Sequence, residues 1–582
     1  MAQQVVIDPL TRIEGHLRIE LETDAGVISN AWSEATQFRG IETIVLHRDP
    51  RDAWAFTQRI CGVCTTVHAI ASITAVENAI GSNVPQQALL IRDMVLASQE
   101  VQDHVIHFYH LHALDWVDVA SAATADPAKA VAFAEQIGST WKGNNIDRMT
   151  AVRDTVANLI ASGQLSIFTG GYWGHPAYKL PPEANLMAVA HYLDALEFQR
   201  TMIKINTVFG GKNPHPNFLV GGMACTIDPN HTASINQVQL ADIQQWVKDT
   251  LEFVQTCYVP DATAIVGVYK EYFDIGASSP NYMAVGMSGA TFGGNPNQTP
   301  RYPTPMMDVK PGVIVNNDFA NPQPFDPTLI SESIGSSWMS YAGGSQTLTP
   351  DKGETTVAYT GPTPPYEWLA SATDGKYSWC KSPRYNGMPV QVGPLARVLL
   401  AYSQNHPRTK ELVDGAVATL GITLDQMNST AGRTLARAVE CLTSAEMLAN
   451  DTLPLFIKNL QGGDISVFDP SKWEPSSWPK KASGYAFVEV ARGNLSHWVS
   501  IENGEISQYQ CVVPTTWMTG GRDENSQMGP YEVSLAGDGK HPLVDPTQPL
   551  EPLRTIHSFD PCMSCAVHVL DVDGQELQVA TS

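Results

Sequence analysis

Charge is scarce in this sequence, and basic charge scarcest. Only 16% of the 582 residues are charged, and 36 Lys and Arg stand against 59 Asp and Glu, a formal net charge of −23 at pH 7. That balance argues against nucleic acid and against an anionic membrane surface as partners. Long apolar runs are missing as well: none approaches the ~18 to 20 consecutive residues of a membrane span. Met1 to Arg12 lacks the basic-then-apolar order of a secretory signal, so export is expected to depend on another chain. There is no internal repeat and no low-complexity tract. Cysteine is sparse and odd in number, nine in all, which rules out a disulfide scaffold. What the chain has is apolar bulk. At 43% hydrophobic residues it can bury a large core, and wholesale disorder is excluded. Its length corresponds to roughly four average domains or one large one.

Periodicity predicts a half-buried strand over His16–Glu22. Helical spacing runs through Pro50–Ala79, which places Cys61, Cys64 and His68 near or on a helix. Further helices are predicted over Gln87–Leu114, Glu183–Phe209, Leu240–Cys257 and Ala431–Leu460. From about 275 to 385 Gly, Pro, Asn, Ser and Thr dominate, and a long irregular excursion over the helical core is expected. Asn503-Gly504 between two alternating segments is a strong hairpin signal, because a type I′ turn needs positive φ at both central residues. An unbulged ladder from that turn sets Arg492 opposite Thr515. A second small hairpin is predicted at the end, Val567–Val572 and Gln575–Val579 around Asp573-Gly574.

Four cysteines form two C-x-x-C pairs, Cys61/Cys64 with His68 four residues on, and Cys562/Cys565 with His568 three residues on. Four thiolates suit soft or borderline metals: zinc, iron–sulfur, nickel or copper(I). Structural zinc pairs usually lie about 15 to 20 residues apart, whereas Cys64 and Cys562 are 498 positions apart. That spacing speaks against a zinc knot. The histidines of Asp103-His104-x-x-His107-Phe108-Tyr109-His110-x-His112 share a helix, but no carboxylate or cysteine follows at ligand spacing, so packed, hydrogen-bonded histidines are expected there. Cys225, Cys257, Cys380 and Cys441, and the sulfur of Cys511, read as buried small hydrophobes.

Arg59-x-Cys61-Gly62-x-Cys64-x-x-x-His68 and Asp560-Pro561-Cys562-x-x-Cys565-x-x-His568 resemble the two signatures of nickel–iron hydrogenase large subunits. The resemblance spans nearly the whole chain. Asp8-Pro9-Leu10-Thr11-Arg12-Ile13-Glu14-Gly15-His16, Phe38-Arg39-Gly40-Ile41-Glu42, Gly171-Tyr172-Trp173-Gly174-His175-Pro176, Gly210-Gly211-Lys212-Asn213-Pro214-His215-Pro216 and Val513-Pro514-Thr515-Thr516-Trp517 follow in the family's order. The likeness is greatest to the membrane-associated uptake group. It implies a mainly α (α+β) fold, a core bundle of long helices with small peripheral antiparallel sheets, in one catalytic domain over 1–568.

The resemblance also implies the site. Nickel would be held by Cys61, Cys64, Cys562 and Cys565, with Cys64 and Cys565 bridging to an iron that carries one carbonyl and two cyanides. Dihydrogen would be split heterolytically, with Cys562 the first proton acceptor and Glu14 the next. A carboxylate suits such a relay because burial raises its pKa. Arg492, held by Asp103 and Asp560, would hang over the metals and donate to one cyanide. Thr515 would donate to the other, and Ala491 and Pro514 would complete the lining. The family usually has Pro where this chain has Ala491, which leaves a backbone N–H free, and commonly Asn where it has Met518. Glu42, His568 and the backbone carbonyl of Cys511 would bind a magnesium ion.

No further cysteine pair is present for iron–sulfur clusters, so electrons need a cluster-bearing small subunit in an obligate heterodimer, and the family adds a membrane cytochrome b. Fourteen residues, 569–582, follow His568. The resemblance implies a propeptide that a maturation endopeptidase removes after chaperones insert nickel. The expected activity is H2 oxidation in the periplasm, membrane-associated by co-export with the small subunit, with a cytoplasmic placement as the alternative. An H2-sensing regulatory subunit is the rival reading, and the tail counts against it. A quinone-reductase relative would lack the four thiolates.

Overall fold

The computed structural model describes residues 3–566; His568, the 569–582 tail and the hairpin expected there lie outside them. The chain is mainly helical with small antiparallel sheets. It opens on three antiparallel strands, Gln3–Ile7, Leu17–Asp24 and Val27–Ala35. Ala25 and Gly26 make the second turn with φ of 51° and 82°, the left-handed pair that lets a two-residue turn match strand twist.

Helix Val67–Ile80 follows the first cysteine pair, is buried along most of its length, and lies on strands Lys481–Val490 and Gly493–Glu502. Helices Gln86–Ile106, Pro182–Met202, Gln237–Phe253 and Thr430–Met447 pack on one another beside it. One large apolar cluster joins these helices and includes all four motif cysteines. A second lies under the N-terminal strands, the irregular excursion and the last helices. The excursion has the expected character, with strands of only two to four residues between 282 and 385.

The predicted long helices are interrupted. The helix expected over Gln87–Leu114 is α-helical only to Ile106 and then widens into a π-turn, His107–His112. The one expected over Glu183–Phe209 breaks at Ile203 and resumes as Lys204–Gly210. Leu240–Cys257 begins earlier, behind an Asn236–Gln239 capping box, and ends in a π-turn, Val254–Tyr258. Ala431–Leu460 widens at Leu448–Thr452. Both of the latter π-turns run straight into a proline, Pro260 and Pro454. Proline has no N–H to offer the carbonyl one turn back, and a wider turn carries the chain past that missing bond.

The C-terminal hairpin corrects the register read from the sequence. Strands Gly493–Glu502 and Glu505–Val512 do meet at Asn503-Gly504, but the pairing slips between Ser500 and Ile501, so that Ser496 faces Val512. Arg492 sits in the opposite turn, Ala491-Arg492, which joins Val490 to Gly493. Thr515 lies past the end of its strand, on the short helix Pro514–Thr519. The two are therefore not cross-strand partners.

Helix Val67–Ile80 approaches its sheet so closely because position 484 has no side chain. A Cβ on Gly484 would stand 2.4 Å from the Ala75 carbonyl and 2.5 Å from the Ala79 nitrogen. Gly484→Ala is expected to destabilise the fold by about 1–3 kcal/mol through this overpacking, read as a lowered Tm. An unchanged Tm would mean that the helix can retreat freely.

Candidate metal centre

Each cysteine pair sits at a helix start. Cys61 is extended (φ −146°, ψ 140°) at the end of the turn Gln58–Ile60, and Cys64 precedes helix Val67–Ile80. Cys562 bridges to the N-terminal segment, with the Met563 N–H donating to the Glu14 carbonyl at 2.7 Å. This pairing of the two chain ends brings the motifs together. The Sγ–Sγ distances are 2.9 Å for Cys64–Cys565 and Cys562–Cys565, 3.5 Å for Cys61–Cys562 and 3.9 Å for Cys64–Cys562. All four sulfurs are buried and lie within 4.8 Å of one another.

The charges cannot be shared evenly. Hydrogen bonds from Cys562 above all, then from Cys565 and Cys64, hold the Cys61 thiol well below its usual range. Burial pushes Cys562 and Cys565 up. Four thiolates in one dry pocket require cationic charge among them. Four convergent soft donors without a disulfide fit a nickel–iron centre.

Beside the sulfurs is a cavity lined by Cys64, His68, Ala491, Arg492, Pro514, Thr515, Cys562 and Cys565, among others. The structure thus gathers the expected canopy residues around it. Arg492 donates from Nη1 to Asp103 Oδ2 at 3.1 Å and lies 3.0 Å from Asp560 Oδ1 through Nη2. Burial pushes Asp103 up to about 7 against the pull of Arg492. The Cys562 N–H donates to Thr515 Oγ1 at 3.1 Å, so that hydroxyl keeps its own proton for another acceptor. Glu14 Oε2 stands 3.3 Å from Cys562 Sγ and accepts the Ser564 N–H at 2.9 Å. Burial raises its pKa above the usual carboxylate range.

Glu42 is buried, and burial pushes it up to about 7. Its Oε1 accepts the Cys511 N–H at 2.7 Å, so Cys511 shows Glu42 its amide. Near it Lys381 Nζ bonds Glu332 Oε2 at 2.6 Å and Gln510 Oε1 at 2.9 Å, and Glu332 Oε1 has no partner among the described residues. Two buried carboxylates, one of them with an unpartnered oxygen, are donors of the hard type that magnesium takes. Lys381, Glu332 and Gln510 were not legible as part of this group, because they come from separate segments and carry no spacing signal.

Other expectations resolve differently. Cys257, Cys380, Cys441 and Cys511 are buried, but Cys225 is partly exposed. His104 does meet carboxylates, Glu100 Oε1 at 2.9 Å and Glu440 Oε2 at 3.0 Å, the second from 336 residues away. The guanidinium of Arg397 already pairs with both, so a cation is present among these carboxylates. Arg397 was also missed; its one signal is an arginine in the apolar run Pro394-Leu395-Ala396-Arg397-Val398-Leu399-Leu400.

The family model described as nickel-dependent hydrogenase matches residues 39–568, and a HoxL-like model matches 4–38. The uptake hydrogenase large subunit of Bradyrhizobium diazoefficiens is 45% identical over 99% of this chain and 96% of its own. The hydrogenase-1 large chain of Escherichia coli is 42% identical over the same shares. Among solved structures, the Ni-Fe-Se hydrogenase of D. vulgaris Hildenborough superposes with a TM-score of 0.74 at 28% identity, covering 98% of this chain and 100% of that one. The chain belongs to the nickel-dependent hydrogenase family.

Proposed function

We propose that this chain is the catalytic large subunit of a nickel–iron uptake hydrogenase, oxidising H2 to protons and electrons. The observation that carries it is the convergence of four buried sulfurs from both chain ends under the Arg492 guanidinium, with a carboxylate 3.3 Å from one sulfur. When bound between these sulfurs, a nickel–iron centre with one carbonyl and two cyanides supplies the heterolytic cleavage of H2 and takes up its two electrons. Cys61, Cys64, Cys562 and Cys565 are the residues to hold it.

The chain's own part is proton handling and positioning. Cys562 Sγ receives the proton and passes it to Glu14 Oε2, whose affinity for the proton burial raises above that of an ordinary carboxylate. Arg492, fixed on two sides by Asp103 and Asp560, holds a rigid cationic fork over the cavity and offsets the sulfur charge. Thr515 Oγ1 and the lining at Ala491 and Pro514 present donors and shape to the diatomic ligands.

The rest of the reading extends from the family. Helices such as Gln86–Ile106 and Thr430–Met447 form the core bundle that carries Asp103 and its neighbours. Glu42, with His568 and the backbone carbonyl of Cys511, holds magnesium. Residues 1–568 form one catalytic domain, and 569–582 are a propeptide removed by an endopeptidase once chaperones have delivered nickel. Electrons leave through an iron–sulfur small subunit, since the sequence has no second cysteine cluster, and from there to a membrane cytochrome b. The complex resides in the periplasm at the membrane. The uptake hydrogenase names of the relatives support catalysis over H2 sensing.

Glu14→Gln keeps the shape of the side chain and removes its proton-carrying capacity. It is expected to leave nickel and iron content unchanged while lowering H2 oxidation by about 10² or more. A variant that loads metal and turns over at the parent rate would exclude Glu14 from the relay.

A further inference from the structure

The turn that carries Arg492 is gripped from behind. Arg397, 1% exposed, projects from helix Pro394–Ser403 and spends its whole donor fork within reach of this turn. Nε donates to Glu440 Oε1 at 2.5 Å, and Nη2 to Glu440 Oε2 at 2.7 Å. Nη1 donates to Glu489 Oε2 and to the Val490 carbonyl, both at 2.8 Å. Nη2 also reaches the Ala491 carbonyl at 3.3 Å. Neutralising the buried carboxylates needs none of the carbonyl bonds. Those bonds fall on the two residues immediately before Arg492.

The ladder pair Val490–Gly493 closes the turn, but the two residues inside it are less constrained. Ala491 does not preset φ as a proline would, and its N–H has no partner among the described residues. On the other side Gly393 lets the backbones touch, since a Cβ there would stand 2.9 Å from the Arg492 carbonyl oxygen. Glu440 is in turn braced by His104, which bridges it to Glu100. The chain of contacts runs from helix Gln86–Ile106 through Glu100, His104, Glu440 and Arg397 to the carbonyls of the turn.

We infer that Arg397 is the positioning residue of the canopy: its guanidinium, fixed by Glu440 and Glu489, holds the Val490 and Ala491 carbonyls and thereby sets where Arg492 sits over the four sulfurs. The inference rests on the hydrogenase reading. A rigid planar fork can bridge two carboxylates and two carbonyls at once, and an ammonium with three donors cannot. Misplacing a catalytic group by 1 Å costs on the order of 10²-fold in rate.

The test is Arg397→Lys in the intact two-subunit enzyme, since lysine keeps the buried positive charge. Nickel and iron per chain should match the parent, the infrared absorptions of the metal-bound cyanides should shift, and H2 oxidation should fall at least tenfold. Combined with Arg492→Lys, it should add little further loss, because both changes act through one guanidinium. Parent-like cyanide bands and rate in a metal-loaded Arg397→Lys enzyme, or full additivity in the double variant, would overturn the inference. If Arg397→Lys takes up no nickel, Glu489→Gln keeps Arg397 and weakens one side of its anchor, and parent-like cyanide bands and rate there would overturn the inference equally. A parent enzyme without carbonyl and cyanide bands would instead refute the hydrogenase reading itself, so the two failures are separable.

Discussion

Everything in this structure turns on four sulfurs that have no reason to be together unless a cation joins them. They come from positions 498 residues apart, yet lie within 4.8 Å of one another, away from water. Bringing one anionic sulfur beside another in a dry site is strongly unfavourable. The pKa pattern shows the strain: one thiol is driven down at the expense of its neighbours. The fold counters this with non-covalent contacts between distant segments. The N-terminal segment at Glu14 and the C-terminal segment at Cys562 bridge to each other, and helix Val67–Ile80 anchors the first pair against the C-terminal sheet. The centre is therefore closed by contact between the two ends of the chain.

Around that centre, buried charge is arranged in layers. Arg492 answers the sulfurs, Asp103 and Asp560 answer Arg492, and on the far side of the same turn Arg397 answers Glu100, Glu440 and Glu489. Buried ion pairs contribute little net stability, because desolvation offsets much of their attraction. Their value here is orientation: each planar guanidinium is fixed by carboxylates on two or more sides, which leaves its remaining donors pointing in one direction. Near Glu42, the Lys381–Glu332 pair is a further buried ion pair.

Much of this was legible in the sequence, and the reasons are local. The cysteine pairs, the Asp560-Pro561 step and the Glu14 segment are contiguous motifs, so their chemistry is readable without a fold. The irregular excursion announced itself through composition. The register of the 493–512 hairpin did not, because a one-residue slip at Ser500 leaves no mark on alternation yet moves every partner beyond it. The π-turns before Pro260 and Pro454 escaped for a similar reason: the helical period continues while the hydrogen-bond ladder changes. Arg397, Glu440 and Lys381 could not be placed in their networks because their partners lie on other elements, from 43 to 336 residues away, at no motif spacing. A buried charge can be seen in sequence only as an oddity in an apolar run.

The four sulfurs are proposed to hold a nickel–iron centre with diatomic ligands that reacts with H2. The direct test is an infrared spectrum of the purified two-subunit enzyme in the window where metal-bound carbonyl and cyanide absorb, recorded before and after H2 is admitted. One carbonyl band and two cyanide bands, all shifting under H2, are the predicted result. A silent window in protein that contains nickel and iron, or zinc in their place, would contradict the account.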